Sequence, residues 1–270
     1  MSAYVFTGPT ISPAEAGREL DAVYLPPAAE GDVYRAALKR PRAIGIIDGY
    51  FQSTPTVRHK EILWAMSQGI HVFGSASIGA LRAAELLAFG MEGVGTIFEW
   101  YRDGVLEDDD EVAIAHGPAE VGFRAASEAM VNIRHTLRKA ELSDIISTKS
   151  RTIMEGIAKK LFYPDRNYEL LLRSAADAGI PETELTRFRQ WLPKGQLNQK
   201  GEDAVTMLRL MRRRLAQGFD PKTVSYSFQH TVMWESAWRE AANSSSTLCN
   251  DELRIERSLG NVLIASRRLP

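Results

Sequence analysis

A serine between a predicted strand and a predicted helix is the first candidate for chemistry in this sequence. In the stretch 71-HVFGSASIGALRAAEL-86, Ser77 follows the apolar strand pattern of residues 70–73 and begins the helical pattern of residues 77–89. In a parallel sheet, the carboxyl ends of strands and the starts of the following helices share one edge, where ligands bind and catalysis occurs. The position of Ser77 therefore predicts a site at that edge.

The neighbours of Ser77 have little side-chain bulk. Gly74, Ser75 and Gly79 would allow a substrate to approach the backbone closely. The N–H groups that follow the serine, those of Ile78 and Gly79, point out of the helix start, where they could stabilise an oxyanion. The pattern is similar to the strand–turn–helix nucleophile motif of hydrolases, although Ser75 stands where that motif has its first glycine.

Two other interpretations of Ser77 remain open. Serine is among the best N-cap residues, so Ser77 could simply cap the helix. Gly74 and Gly79 also have the spacing of a phosphate-binding loop, but Ala80 follows where that motif needs a lysine. Nucleotide binding is therefore the weaker alternative.

A nucleophilic serine needs a base, and the sequence offers histidines or a lysine. His59, His71 and His116 lie in the first half of the chain, and nothing in their spacing selects one of them. Lys60 lies in the first turn of the helix that follows the strand at residues 43–47. This places it at the same sheet edge as the serine, and serine–lysine pairs are a known variant of the catalytic triad.

Asp48 leaves a buried strand at that edge, where it could orient the lysine or hold a substrate group, although Asp-Gly is often just a turn. The acidic run 107-EDDDE-111 is more typical of a solvated loop than of a metal site, and no histidine spacing supports a set of metal ligands.

The elements that must position these residues change in type along the chain. Apolar runs alternate with helical patterns over about the first 125 residues, which predicts an α/β fold with a largely parallel sheet. After residue 126 the strand signals stop, and an all-helical second half follows. We expect an α/β catalytic domain over residues 1–126 and a helical domain over residues 127–270. The helices are predicted over 127–140, 144–161, 167–178, 181–192, 202–217 and 222–242.

The composition excludes several classes of protein. The net charge is −1 and charged residues make up 25% of the 270 residues, so nothing indicates a nucleic-acid or membrane-surface protein. No apolar run approaches the roughly 18 residues that a membrane-spanning helix needs. The start of the chain lacks the pattern of a signal peptide, and we expect a cytoplasmic protein. One cysteine, Cys249, can form neither an internal disulfide nor a Cys-x-x-Cys site.

Several long runs resemble the TfuA family. They are 43-AIGIIDGYF-51, 59-HKEILWAMSQG-69, 71-HVFGSASIGALRAAEL-86, 98-FEWYRDGVLEDDDEVAIAHGP-118 and 128-EAMVNIRHTL-137, and the TfuA-like core covers about residues 45–165. The opening 4-YVFTGPTISPAEA-16 and the stretch 161-LFYPDRNYELLL-172 are also similar to family members.

The resemblance implies a role in peptide backbone thioamidation, a post-translational modification in the biosynthesis of ribosomally made peptides. A TfuA protein works beside a YcaO enzyme, which binds ATP and activates a backbone amide of a precursor peptide or protein. The TfuA protein hydrolyses a thiocarboxylated ThiS-type carrier protein to release sulfide, and it helps YcaO to engage its substrate. A serine–lysine pair carries the hydrolysis, and matching the family motif places that pair on Ser77 and Lys60.

The implied chemistry is consistent with the residues. A serine nucleophile, a basic lysine and an oxyanion-stabilising helix start suit acyl transfer from a thiocarboxylate. We expect Ile78, Gly79, Gly74, Ser75, Asp48 and His59 to contribute to oxyanion or substrate binding, and we expect neither a cofactor nor a metal. The alternative is a non-catalytic adaptor of a YcaO enzyme, in which Ser77 only caps a helix.

Overall fold

The computed structural model describes residues 3–50, 54–232 and 234–235. Cys249 and the end of the helix predicted at 222–242 lie outside these residues. Five short strands form one sheet in the order β2-β1-β3-β4-β5, and each neighbouring pair is parallel. The strands are β1 Ala3–Phe6, β2 Val23–Leu25, β3 Ala43–Ile46, β4 His71–Ser75 and β5 Glu92–Val94.

Ten α-helices connect and follow these strands in the part of the chain that the structure describes. Five belong to the first half: α1 Pro13–Ala16, α2 Asp32–Leu38, α3 His59–Ser67, α4 Ile78–Glu85 and α5 Thr96–Arg102. The other five are α6 Met130–Leu142, α7 Thr148–Lys160, α8 Tyr168–Asp177, α9 Glu182–Gly195 and α10 Gln199–Gln217. The predicted α/β fold, with a parallel sheet in the first half and helices in the second, is confirmed.

Helices cover both faces of the sheet because its strands are apolar on both sides. One face packs against α2, α3, α4 and α5 through a cluster that includes Ile44, Ile62, Ala80 and Ile97. The other face packs against α1 and α10, whose buried residues join those of the strands in a second cluster. Helix α10 therefore packs against the sheet, although it belongs to the helical half of the sequence.

Helices α6 to α9 form a third apolar cluster of their own, which includes Ile133, Met154, Leu171 and Phe188. One sequence prediction beyond these helices was wrong: residues 222–231 form no helix. Their aromatic side chains pack on α3 instead, where the Tyr226 hydroxyl donates to the carbonyl of Leu63 at 2.6 Å. No helix among the described residues is long and apolar enough to cross a membrane.

The strand order creates a crevice at the carboxyl edge of the sheet. From β1 the chain moves outward to β2, and it then returns to add β3 on the opposite side of β1. Connections therefore leave β1 and β3 in opposite directions, which separates the loops at their carboxyl ends and opens a site for ligands. Asp48 follows β3 and Ser77 follows β4 at this edge.

Candidate functional site

A small cavity of about 50 Å³ lies at this edge, which is room for a small acyl group or a few water molecules. Ser77 and Ile78 supply one wall from the start of α4, and Asp48 supplies another from the end of β3. The remaining lining residues are Pro9, Gly49, Tyr50, Asp109, Val112, Ala113, Ile114, His116 and Lys200.

Ser77 has an unusual backbone setting. It occupies the N-cap position of α4, but its side chain accepts no hydrogen bond from the helix. Its N–H donates to the carbonyl of Ser75 at 2.7 Å, which closes a three-residue turn around Ala76. Ala76 has a φ of +65°, a conformation that costs a residue with a side chain about 1–3 kcal/mol. The local structure thus holds a strained turn next to a serine whose hydroxyl has no partner among the described residues.

The other serine of this turn is occupied. The Ser75 hydroxyl is fully buried and donates to the carbonyl of Val94 at 2.7 Å, which ties β4 to β5. Ser77 is also buried, with 7% of its surface exposed, but it faces the cavity. The structure therefore distinguishes the two serines, and Ser77 is the one available for chemistry.

Gly74 and Gly79 allow the backbones of two elements to meet. A side-chain carbon at Gly79 would lie 1.8 Å from the carbonyl oxygen of Ile46, and one at Gly74 would lie 2.1 Å from the carbonyl oxygen of Gly79. The Gly79 N–H donates to the carbonyl of Ile47 at 3.4 Å, whereas no described residue accepts from the N–H of Ile78. Of the two predicted oxyanion donors, Ile78 is the free one.

Asp48 is held rigidly in the cavity wall. Its carboxylate accepts from the Thr10 hydroxyl at 2.6 Å and from the Thr10 N–H at 3.0 Å. Only 2% of its surface is exposed. These two hydrogen bonds join the loop after β1 to the end of β3, on either side of the crevice.

Lys200 is the cavity residue that the sequence analysis missed. It lies in the first turn of α10 with 3% of its surface exposed, and its ammonium donates to the carbonyl of Val112 at 2.8 Å. Burial lowers the pKa of Lys200 below its usual range, and the charges of Asp48 and Glu128 oppose that effect only in part. A lysine of this kind can be a neutral base.

The structure places Lys60 and His59 outside the cavity lining. The Lys60 ammonium donates to the Thr231 hydroxyl at 2.8 Å and lies 5.5 Å from the centre of the Phe228 ring. His59 pairs with Glu85 at 2.7 Å on the exposed surface. The structure does not bring these two residues to Ser77, and their predicted roles in catalysis and substrate binding remain predictions.

Among the candidate histidines, His116 lines the cavity and His71 does not. His71 lies at the start of β4, at the opposite edge of the sheet, where it bonds Glu92 and the carbonyl of Asp220. His116 contacts its own neighbour instead, with Nδ1 2.8 Å from the carbonyl oxygen of Gly117.

The acidic run beside the cavity forms an ion-pair network. Oxygens of Asp108, Asp110 and Glu111 lie within 4.8 Å of one another, a spacing that could suit a cation. The Lys159 ammonium contacts all three carboxylates, and the buried Arg166 guanidinium also pairs with Asp110. The network fastens the loop before Val112 to the end of α7, and so positions one wall of the cavity.

The comparison with protein families gives one match over the centre of the chain. The model described as TfuA-like protein matches residues 48–167. Over these residues, which are fewer than half of the chain, the sequence is similar to the TfuA-like protein family. The comparison with curated proteins gives no match. The TfuA-like segment contains Asp48, Ser77 and His116, but Lys200 lies beyond it.

Local sequence gives no signal that would have found Lys200. It is separated from Ser77 by more than a hundred residues, and most lysines lie on the surface. Only the return of α10 across the sheet brings its first turn to the cavity. His116, in contrast, was a candidate from the sequence, and the structure selects it by position.

Proposed function

We propose that this TfuA-like protein hydrolyses the C-terminal thiocarboxylate of a ThiS-type carrier protein and releases sulfide. A buried serine whose hydroxyl has no partner among the described residues and a buried lysine of lowered pKa line one cavity, and this observation carries the proposal. The sulfide would serve a YcaO enzyme that thioamidates a peptide backbone, a partnership that rests on family membership alone.

Ser77 acts as the nucleophile, and Lys200 is the lysine that geometry favours as its base. The neutral amine of Lys200 takes the proton of the Ser77 hydroxyl while the oxygen attacks the thiocarboxylate carbon. The carbon–sulfur bond then breaks, and the proton leaves on sulfur. The carrier becomes an ester of Ser77, and hydrosulfide is released. Atoms and charge balance because the proton lost by serine is the one that hydrosulfide carries.

The start of α4 would stabilise the tetrahedral intermediate. The N–H of Ile78 has no acceptor among the described residues, and it lies at the positive end of a helix. Donors of this kind in a buried site each contribute about 100-fold to 1000-fold in rate. On this chain the reaction uses Ser77, Lys200 and the N–H of Ile78. It needs neither ATP nor a cysteine.

Sulfide release from a thiocarboxylated ThiS-type carrier tests the proposal, with no YcaO protein present. We expect Ser77→Ala and Lys200→Met to lower the rate at least about 1000-fold, because both belong to one catalytic unit. Lys60→Met distinguishes the two lysines, and we expect it to stay within about threefold of wild type. Lys149→Met, at an exposed position of α7, controls for the loss of a surface charge.

The outcomes separate the candidate functions. If Lys60→Met abolishes sulfide release and Lys200→Met does not, the lysine carried over from the family motif is the base. If wild type releases no more sulfide than the blank, the chain is not this hydrolase. An adaptor role would then require that Ser77→Ala still supports thioamidation by a YcaO enzyme supplied with free sulfide.

A further inference from the structure

His116 lines the same cavity as Ser77 and Lys200. It is half-buried, whereas Lys200 has 3% of its surface exposed. The loop that carries it is closed on itself, because the Gly117 N–H donates to the carbonyl of Arg124 at 2.8 Å and His116 forms a bridge with Ala125. His116 therefore lies on an anchored loop and is the more exposed of these two cavity residues.

One nitrogen of the His116 ring is committed to the loop. Nδ1 lies 2.8 Å from the carbonyl oxygen of Gly117, and a carbonyl oxygen only accepts hydrogen bonds. Nδ1 therefore carries a hydrogen, and the neutral ring has its lone pair on Nε2. The rings of Tyr50 and Phe123 also contact the imidazole, with centroids 6.1 and 5.8 Å from its own.

The proposed hydrolysis needs two proton acceptors at different times. The first takes the proton of a buried serine, and the second takes a proton from a water molecule that arrives after sulfide leaves. Lys200 is placed for the first task because it is buried with Ser77. His116 lines the same cavity and is more exposed than Lys200, so it is the better placed of the two to meet water that enters from solvent.

We propose that His116 is the general base of the second step, the hydrolysis of the ester on Ser77. This inference rests on the proposed function. Water attacks the acyl carbon while its proton moves to Nε2 of His116. The bond between that carbon and the Ser77 oxygen then breaks, and the oxygen takes the proton back from the imidazolium. The products are the carboxylic acid of the carrier and free Ser77, so one water is consumed.

The two steps can be separated in time, which makes the assignment testable. Full-length His116→Gln is mixed with excess thiocarboxylated carrier, and sulfide is measured by rapid quench while the protein is examined by intact mass spectrometry. We expect one equivalent of sulfide at nearly the wild-type rate, followed by turnover slowed at least about 100-fold. We also expect the mass of a carrier–protein ester to accumulate. His230→Gln, at an exposed position outside the cavity lining, should behave as wild type.

A second variant guards against a change that is merely structural. His116→Ala leaves space in the cavity wall, and we expect added imidazole to restore the slow phase of turnover without changing the first equivalent of sulfide. Slow sulfide release without a burst, or unchanged turnover, in both variants would overturn the assignment. If wild-type protein releases no sulfide at all, the proposed function itself fails. That outcome differs from the two results that would overturn the assignment of His116, because both of those require an active wild type.

Discussion

Two lysines, Lys60 and Lys200, show how surroundings decide what one residue type can do. Lys60 is only partly buried, and its ammonium contacts a hydroxyl and an aromatic ring. Lys200 is buried, and among the described residues its ammonium has the carbonyl of Val112 as its acceptor, although an ammonium group has three hydrogens to donate. Desolvation of this kind disfavours the charged form, which is what a base at neutral pH requires.

The pKa of Lys200 leads to a prediction about pH. In the proposed mechanism the neutral lysine is the active form, and it becomes populated as pH rises through a pKa that burial holds below the ordinary value of 10.5. We expect sulfide release to rise with pH and reach a plateau below pH 10.5. Lys200→Arg should be inactive throughout, because a guanidinium does not lose its proton. A rate in wild type that is still rising at pH 10.5 would contradict a buried base.

The lowered pKa of Lys200 also predicts that the free energy of unfolding rises with pH. Between the lowered pKa and the ordinary one, the unfolded chain binds a proton at Lys200 that the folded chain does not. Stability therefore rises with pH across that interval. The contribution can be measured by urea unfolding as the difference between wild type and Lys200→Met, without any assay of activity.

At the scale of elements, Glu61 joins the starts of two helices. Its carboxylate accepts from the N–H of Arg58 at 3.1 Å, at the start of α3, and from the N–H of Tyr34 at 3.4 Å, in α2. Burial raises the pKa of Glu61 to about 7, against the effect of these hydrogen bonds. The group therefore titrates near neutral pH in the folded protein.

The raised pKa of Glu61 predicts a loss of stability with rising pH. Between its ordinary value of 4.5 and about 7, the folded state keeps a proton that the unfolded state has lost. The free energy of unfolding should fall by roughly 3 kcal/mol across this window. Urea unfolding at pH 5 and pH 8 measures it, and Glu61→Gln should remove most of the difference. If the free energy of unfolding depends on pH equally in wild type and Glu61→Gln, Glu61 does not titrate in this range. Glu169→Gln, on the exposed surface of α8, is the control.

The contact between β3 and α4 predicts that Gly79 cannot be replaced. An added methyl group would lie 1.8 Å from the carbonyl oxygen of Ile46, so the start of α4 would have to move. We expect Gly79→Ala to lower stability by about 3 kcal/mol or more. Gly156→Ala is the matched control, since nothing lies within 4 Å of that position in α7, and it should gain about 0.5–1 kcal/mol. Similar unfolding midpoints for the two variants would contradict the close approach.

The sequence predicted the elements whose signals are local and missed those that depend on distant partners. The runs at β3 and β4 were recognised because they are apolar. Strand β5 was missed because Glu92-Gly93-Val94 has no strand pattern, and its conformation comes from pairing with β4. The position of Ser77 at a strand–helix junction could be predicted, whereas the buried environment of Lys200 could not.

At the scale of the whole molecule, α10 links the two halves of the sequence. Its residues Met207 and Met211 are fully buried against the sheet. Asp203 accepts from the N–H of Ile97 at 2.8 Å, at the start of α5, and Lys200 enters the cavity one turn earlier. One helix from the second half thus completes the core of the first half, caps one of its helices and supplies a site residue.

This arrangement predicts how fragments of the chain behave. The division at residues 126 and 127 implies an α/β domain that folds alone, but residues 1–126 lack α10 and would expose the sheet face formed by Ala3, Val5 and Phe73. We expect this fragment to bind the dye ANS, to unfold without cooperativity and to release no sulfide, because exposed apolar surface and lost tertiary packing go together. A chain that ends at residue 235 keeps every described residue and should unfold cooperatively. Cooperative unfolding of residues 1–126 would instead establish them as an independent domain. The role of α10 would then be limited to the site, because the core of the first half would fold without it.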